Sequence, residues 1–116
     1  MPEPVIDRTT LEALASTTDR EFVAELIDTF LEDAPQLLTT LSAALAAQDA
    51  EGFRRAAHSL KSNGASLGAM AFSSSAKELE MIGKAGDLDG AADKVESLRA
   101  EFDHVAQALR GYANEA

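Results

Sequence analysis

The chain has no cysteine, no tryptophan and only two histidines. Without thiols, disulfide frameworks, thiolate metal sites and cysteine nucleophiles are all excluded. Aromatic residues make up 5% and prolines number three, which leaves little material for strands and little to interrupt helices. No apolar run is long enough to cross a bilayer, and no basic segment followed by an apolar stretch marks a leader. Cations are scarce as well: ten Lys and Arg stand against twenty Asp and Glu, a formal charge of -10. A surface of that sign repels a nucleic-acid backbone and favours solubility. A soluble cytoplasmic protein that binds neither nucleic acid nor membrane is expected.

What the sequence does hold is Ala, Leu and Glu in abundance, in 116 residues that are 46% hydrophobic. That suffices for one domain over residues 1–116, with a core over about 7–113 and frayed ends at Met1 to Pro4 and Asn114 to Ala116. The periodicity is helical throughout. A short leading helix runs from Asp7 to about Ala15, and Thr18 with Glu21 forms a capping box for the next. Its apolar stripe is Val23, Ile27, Phe30, Ala34, Leu37, Leu41 and Leu45. The stripe passes through Pro35, so two helices meeting at a bend or one kinked helix are expected. Asp49 caps a third element with the stripe Phe53, Ala57, Leu60, Gly64 and Leu67, stopped by Gly68. A fourth spans about Ala69 to Lys84 and ends at Gly86. Asp87 caps the last, whose seam is Leu88, Ala91, Val95, Leu98, Phe102, Val105, Leu109 and Tyr112. Short links between long amphipathic helices favour an all-α, up-and-down antiparallel four-helix bundle with a short extra N-terminal helix.

The charge is unevenly spread. From Gly52 through Ala76 there is no Asp or Glu, while the same stretch holds Arg54, Arg55, His58 and Lys61. At about 100° per residue, His58 falls about 140° from the centre of its helix's apolar stripe and faces water. Arg54, Lys61, Ser62 and, a turn further on, Ala65 share that side. The cations can neutralise a phosphoryl group and disfavour an extra proton on the imidazole, leaving a nucleophilic nitrogen. Ser62 and Ala65 are small enough to admit a partner, and Ser62 can donate a hydrogen bond. An exposed histidine beside Arg and Lys is ordinarily just a solvated helix face, and spacing alone does not decide between the two. His104, about 120° off its own seam, is an internal control: Glu101, Asp103 and Gln107 surround it and make it a poor phosphoryl acceptor.

The segment from Ala56 through Ala69, with His58-Ser59-Leu60-Lys61-Ser62 at its head and Leu67-Gly68-Ala69 at its end, resembles the phosphohistidine motif of histidine-containing phosphotransfer (HPt) domains. Phe30-Leu31-Glu32-Asp33-Ala34-Pro35 and Ala85-Gly86-Asp87-Leu88 are similar to that family's flanking framework, so the resemblance covers nearly the whole chain. It implies that His58 takes a phosphoryl group from an aspartyl phosphate on a receiver domain and passes it to another receiver. It gives Lys61 the role of pairing with phosphoryl oxygens, Gly64 that of close helix packing beside the site, and Lys84, with Lys77 second, that of a cation on the next helix. The departure is Ser62, where many members have Gly.

The expected partners are response-regulator receiver domains and a hybrid histidine kinase, docking around His58 with apolar help from Ala65, Ala69 and Met70. No cofactor is expected on this chain, Mg²⁺ belonging to the receiver, and no autonomous kinase activity, since a Gly-rich nucleotide loop and an acidic cluster beside His58 are both missing. A monomer is the expected form; the sequence leans toward a free-standing carrier but does not decide between that and a domain of a hybrid histidine kinase. Two rivals remain open: a helical adaptor that transfers nothing, and a di-metal bundle built on Glu101-x-x-His104, against which Arg55 stands where the second Glu is needed.

Overall fold

The structure, a computed structural model, describes residues 5–115. Among them all regular structure is helical: α1 (Arg8–Thr17), α2 (Arg20–Ala46), α3 (Ala50–Ser66), α4 (Met70–Ala85) and α5 (Ala92–Ala113). Three aspartates start the first three. Asp7 accepts from the Thr9 amide, Asp19 from that of Phe22 at 2.7 Å and Asp49 from that of Gly52 at 3.0 Å. The capping residue of α2 is therefore Asp19 and not Thr18. The Thr18 hydroxyl instead donates back to the Leu14 carbonyl at 2.6 Å and closes α1. A carboxylate at this position also suits the positive end of the helix dipole.

Pro35 lies inside α2, which runs unbroken as one helix; the proline is exposed, on the face away from the core. The buried stripe is Val23, Ile27, Phe30, Ala34, Leu38, Leu41 and Ala44. Leu37 and Leu45, assigned to the core from spacing, are only half-buried. Leu37 lines an open groove against Arg55, Ala56 and Ser59 of α3, whereas Leu38 is buried, and its carbonyl accepts from Arg99 of α5, as does the Ser42 hydroxyl. The stripe of α3 is buried as expected, joined by Ala56. Gly68, at φ 81°, ends that segment, and its carbonyl accepts from the Asp7 amide at 2.7 Å. The last helix begins at Ala92, later than Asp87. The Asp87 carboxylate turns onto the Asp89 amide, and Gly90 at φ 80° interrupts the path, although Leu88 and Ala91 still reach the core.

Helices α2 to α5 pack in succession and α5 returns to α2, with α1 laid against α2. This is a helical bundle. Phe30, Phe72 and Phe102 meet at its centre with ring centroids 5.8 to 6.3 Å apart. Each such ring contributes about 2 kcal/mol by burial alone. At one end Arg8 donates twice to the Glu115 carboxylate, at 2.7 and 2.6 Å, and the guanidinium groups of Arg8 and Arg20 lie over the Tyr112 ring at 5.0 and 4.9 Å. Glu115 is thus tied down, contrary to the expectation of a frayed end from Asn114. The rest of that expectation, for Met1 to Pro4 and Ala116, lies outside the described residues.

Candidate functional site

The most closely paired helices are α3 and α4. Phe72 of α4 fills the space that a side chain on Gly64 would need, a Cβ there standing 2.7 Å from the ring. The Ser73 hydroxyl donates to the Lys61 carbonyl at 2.9 Å. Further along, Glu80 reaches Lys61 and His58, and Gly83 meets Arg54. Numbers rise on α3 as they fall on α4, so this pair runs in opposite directions.

His58 projects from the middle of α3 with 53% of its side chain exposed, and Glu80 stands beside it at 14%. One Glu80 oxygen lies 2.6 Å from His58 Nδ1 and the other 2.7 Å from Lys61 Nζ. Lys61's hydrogen bond is the main cause that holds the Glu80 carboxyl below its ordinary value; partial burial opposes it and His58 assists. An ionised carboxylate can only accept, so Nδ1 must carry the hydrogen of the His58–Glu80 bond. In the neutral ring the lone pair is then on Nε2. The bridge fixes both the tautomer and the tilt of the imidazole.

Glu80 was missed from sequence, because the basic stretch of α3 suggested purely cationic surroundings. The nearest charge to the ring is a carboxylate on the next helix, which favours a proton on Nδ1. A signal did exist: Lys77, Glu80 and Lys84 recur at helical spacing on one face of α4, with Lys77 and Lys84 exposed and Glu80 partly covered. Lys84 therefore shares the face of α4 that borders His58, as does Lys77.

The other expected residues divide. Lys61 is at the site, with its ammonium on Glu80. Ser62 is exposed one turn beyond His58, and Ala65 half-buried a turn further. Arg54 is not turned to the imidazole: its Nε and Nη2 both donate to Glu51 at the start of α3, which raises its own pKa and lowers that of Glu51. Ala69 is fully buried before α4 and offers no docking surface, whereas Met70 is 48% exposed. His104 is exposed on α5, and Glu101, half-buried, accepts from the Ser75 hydroxyl at 2.8 Å. That carboxylate points toward α4. Among the described residues no three His, Asp or Glu side chains converge as metal ligands would, and no helix is long and apolar enough to cross a membrane.

The family model of the Hpt domain matches residues 25–108, which takes in α3, α4 and all of the site. The chain belongs to the Hpt domain family. As an Hpt domain it is a phosphorelay carrier of two-component signalling, in a family whose partners are receiver domains and histidine kinases. Among solved structures it is similar to the crystal structure of histidine-containing phosphotransfer protein B (HptB) from Pseudomonas aeruginosa PAO1. The two are 30% identical over 99% of each chain, with a TM-score of 0.91. No curated protein sequence matches this Hpt domain.

Proposed function

We propose that His58 is the phospho-acceptor of this Hpt domain and that it reacts through Nε2. The observation that carries this is the Glu80 bridge: Nδ1 is occupied by the carboxylate, and Nε2 is the remaining lone pair on a ring exposed to a partner. In transfer from a receiver, Nε2 attacks phosphorus and the N–P bond forms as the acyl P–O bond breaks. The receiver carboxylate leaves, and the imidazole, with its hydrogen still on Nδ1, gains positive charge. Glu80 faces that charge as it develops. No proton moves, so the step is reversible with little reorganisation, and its loose transition state asks mainly for alignment and charge neutralisation.

Lys61 has two uses in this scheme. At rest it orients Glu80; its flexible stem also lets the ammonium turn to phosphoryl oxygens once they arrive one turn away. Ser62, Lys84 and Lys77 border the same opening and serve the incoming phosphoryl group and its partner, while Arg54, held by Glu51, contributes charge from a distance. Ala65 and Met70 add apolar contact. The proposal assigns no cofactor to this chain and leaves Mg²⁺ to the receiver, since Glu80 is committed to His58 and Lys61. The chain then has no kinase activity of its own.

The proposed architecture is an up-and-down antiparallel four-helix bundle with α1 as the extra N-terminal helix, forming one domain over residues 1–116. Cross-contacts in reversed order support it: Arg20 meets Tyr112 while Ser42 meets Arg99, and Ser75 meets Glu101 while Glu78 meets Lys94. A cytoplasmic monomer is part of the same proposal. The test is transfer of labelled phosphoryl from a phosphorylated receiver to the wild-type chain and to His58→Gln. An acid-labile, base-stable adduct on wild type alone supports it; equal labelling of the variant, or none of either with a broad panel of receivers, favours a non-transferring adaptor.

A further inference from the structure

We infer that Gly83 and Ser73 are positioning residues for the phosphotransfer site, acting through Glu80, whose distance from His58 they set. The inference rests on the assignment of His58 and Glu80 above. Gly83 is buried near the C-terminal end of α4, three residues beyond Glu80, where that helix meets the start of α3. A Cβ built on it would stand 2.9 Å from the N, Cα and Cβ atoms of Arg54. Backbone atoms of a helix cannot step aside as the end of a long side chain can. Any side chain at Gly83, even a methyl, forces α4 away from α3 one turn from Glu80. Gly64 differs, because the atoms a Cβ there would crowd belong to the Phe72 side chain, the backbone oxygen of Ala69 lying at an ordinary 3.6 Å.

On the other side of Glu80 the Ser73 hydroxyl is tied to the Lys61 carbonyl, and Ser73 is buried. Residues 73, 80 and 83 lie on nearly the same face of α4, since seven residues are close to two turns and three are close to one. Helix α4 is therefore fastened to α3 on both sides of Glu80, by a hydrogen bond at Ser73 and by direct contact of main chains at Gly83. Between those fixed points the carboxylate meets Nδ1 at 2.6 Å and Nζ at 2.7 Å. Charge-assisted bonds of that length weaken quickly as the helices separate.

The experiment compares wild type with Gly83→Ala, Ser73→Ala and Gly111→Ala by ¹⁵N NMR of the His58 ring and by phosphotransfer from a phosphorylated receiver. Gly111 is a control helical glycine, with nothing within 4 Å of the position a Cβ would take. Wild type and Gly111→Ala show the tautomer with hydrogen on Nδ1. Gly83→Ala shifts the ring toward hydrogen on Nε2 and slows transfer about ten-fold, the order expected when a group is misplaced by a fraction of an ångström. In a Glu80→Ala background Gly83→Ala adds no further loss, because the group it positions is gone. Where Gly83→Ala does not fold, Ser73→Ala decides, since it releases the other tether without adding bulk and shifts the tautomer in the same direction. Folded variants with an unchanged tautomer, or an equal loss on adding Gly83→Ala to Glu80→Ala, overturn the inference. The tautomer is read without any phosphoryl donor, so failure of His58 as acceptor is distinguishable from failure of this inference.

Discussion

Glu80 lies 22 residues from His58 in sequence, yet its carboxylate accepts a 2.6 Å hydrogen bond from Nδ1 of the ring. Glu80→Gln keeps an accepting oxygen but removes the charge opposite the imidazolium-like ring; Glu80→Ala removes both. A hydrogen bond to a charged group is worth about 1.5–3 kcal/mol, which corresponds to roughly ten- to a hundred-fold in rate. Transfer to His58 should fall by that order in Glu80→Ala and by less in Glu80→Gln. Rates equal to wild type in both would leave Glu80 without a part in the chemistry.

Lys61 is the main cause of the lowered Glu80 pKa. Lys61→Ala should therefore raise the Glu80 pKa as well as slow transfer, and NMR titration of the Glu80 carboxyl carbon reads this directly. Lys61→Arg should keep the pairing and recover part of the rate, because a guanidinium presents its donors in a different geometry. An unmoved Glu80 titration in Lys61→Ala would show that the ion pair is not what holds the carboxylate.

The same shift fixes the direction of a pH effect. Glu80 has a lower pKa folded than its ordinary value of 4.5. Its contribution to stability is then complete above the unfolded value and is lost as pH falls through the folded value. Acidification below about pH 4.5 should open the α3–α4 contact around His58, seen as loss of amide-exchange protection near Lys61 and Ser73. Protection that persists after Glu80 has titrated would contradict the linkage.

Phe72 joins the centre of the core to Gly64 beneath the site. Phe72→Ala should cost about 3–5 kcal/mol in denaturant unfolding. A loss below about 1 kcal/mol would mean the core refills the space.

How much was legible in advance follows the range of each interaction. The α3 segment was readable because its determinants are local: Asp49 caps it, Phe53 to Leu67 form one stripe, and Gly68 supplies the positive φ that stops it. His58 was placed on the surface by the same projection. At Thr18 and Asp19 two adjacent residues could both cap, and only the three-dimensional path chose the aspartate. Asp87 fitted a cap equally well until Gly90 broke the path and delayed α5 to Ala92. The Leu37 and Leu38 exchange depended on which neighbour each side of α2 meets. Glu80 left only the trace of its spacing with Lys77 and Lys84, and Gly83 left none: their roles exist only when α4 is laid against α3, and nothing in the α3 motif points to them. Arg54 is half-buried, with its main chain against Gly83 of α4, and its capture by Glu51 three residues earlier was overlooked.

The central claim is that this Hpt domain carries its phosphoryl group on Nε2 of His58 because Glu80 holds Nδ1. The direct measurement is a ³¹P–¹⁵N correlation on the phosphorylated, ¹⁵N-histidine-labelled chain, with His58→Gln and His104→Gln to assign the signal. The expected result is one phosphorus coupled to Nε2 of His58, lost in His58→Gln and kept in His104→Gln. Phosphorus coupled to Nδ1, or a signal that disappears with His104, would contradict it.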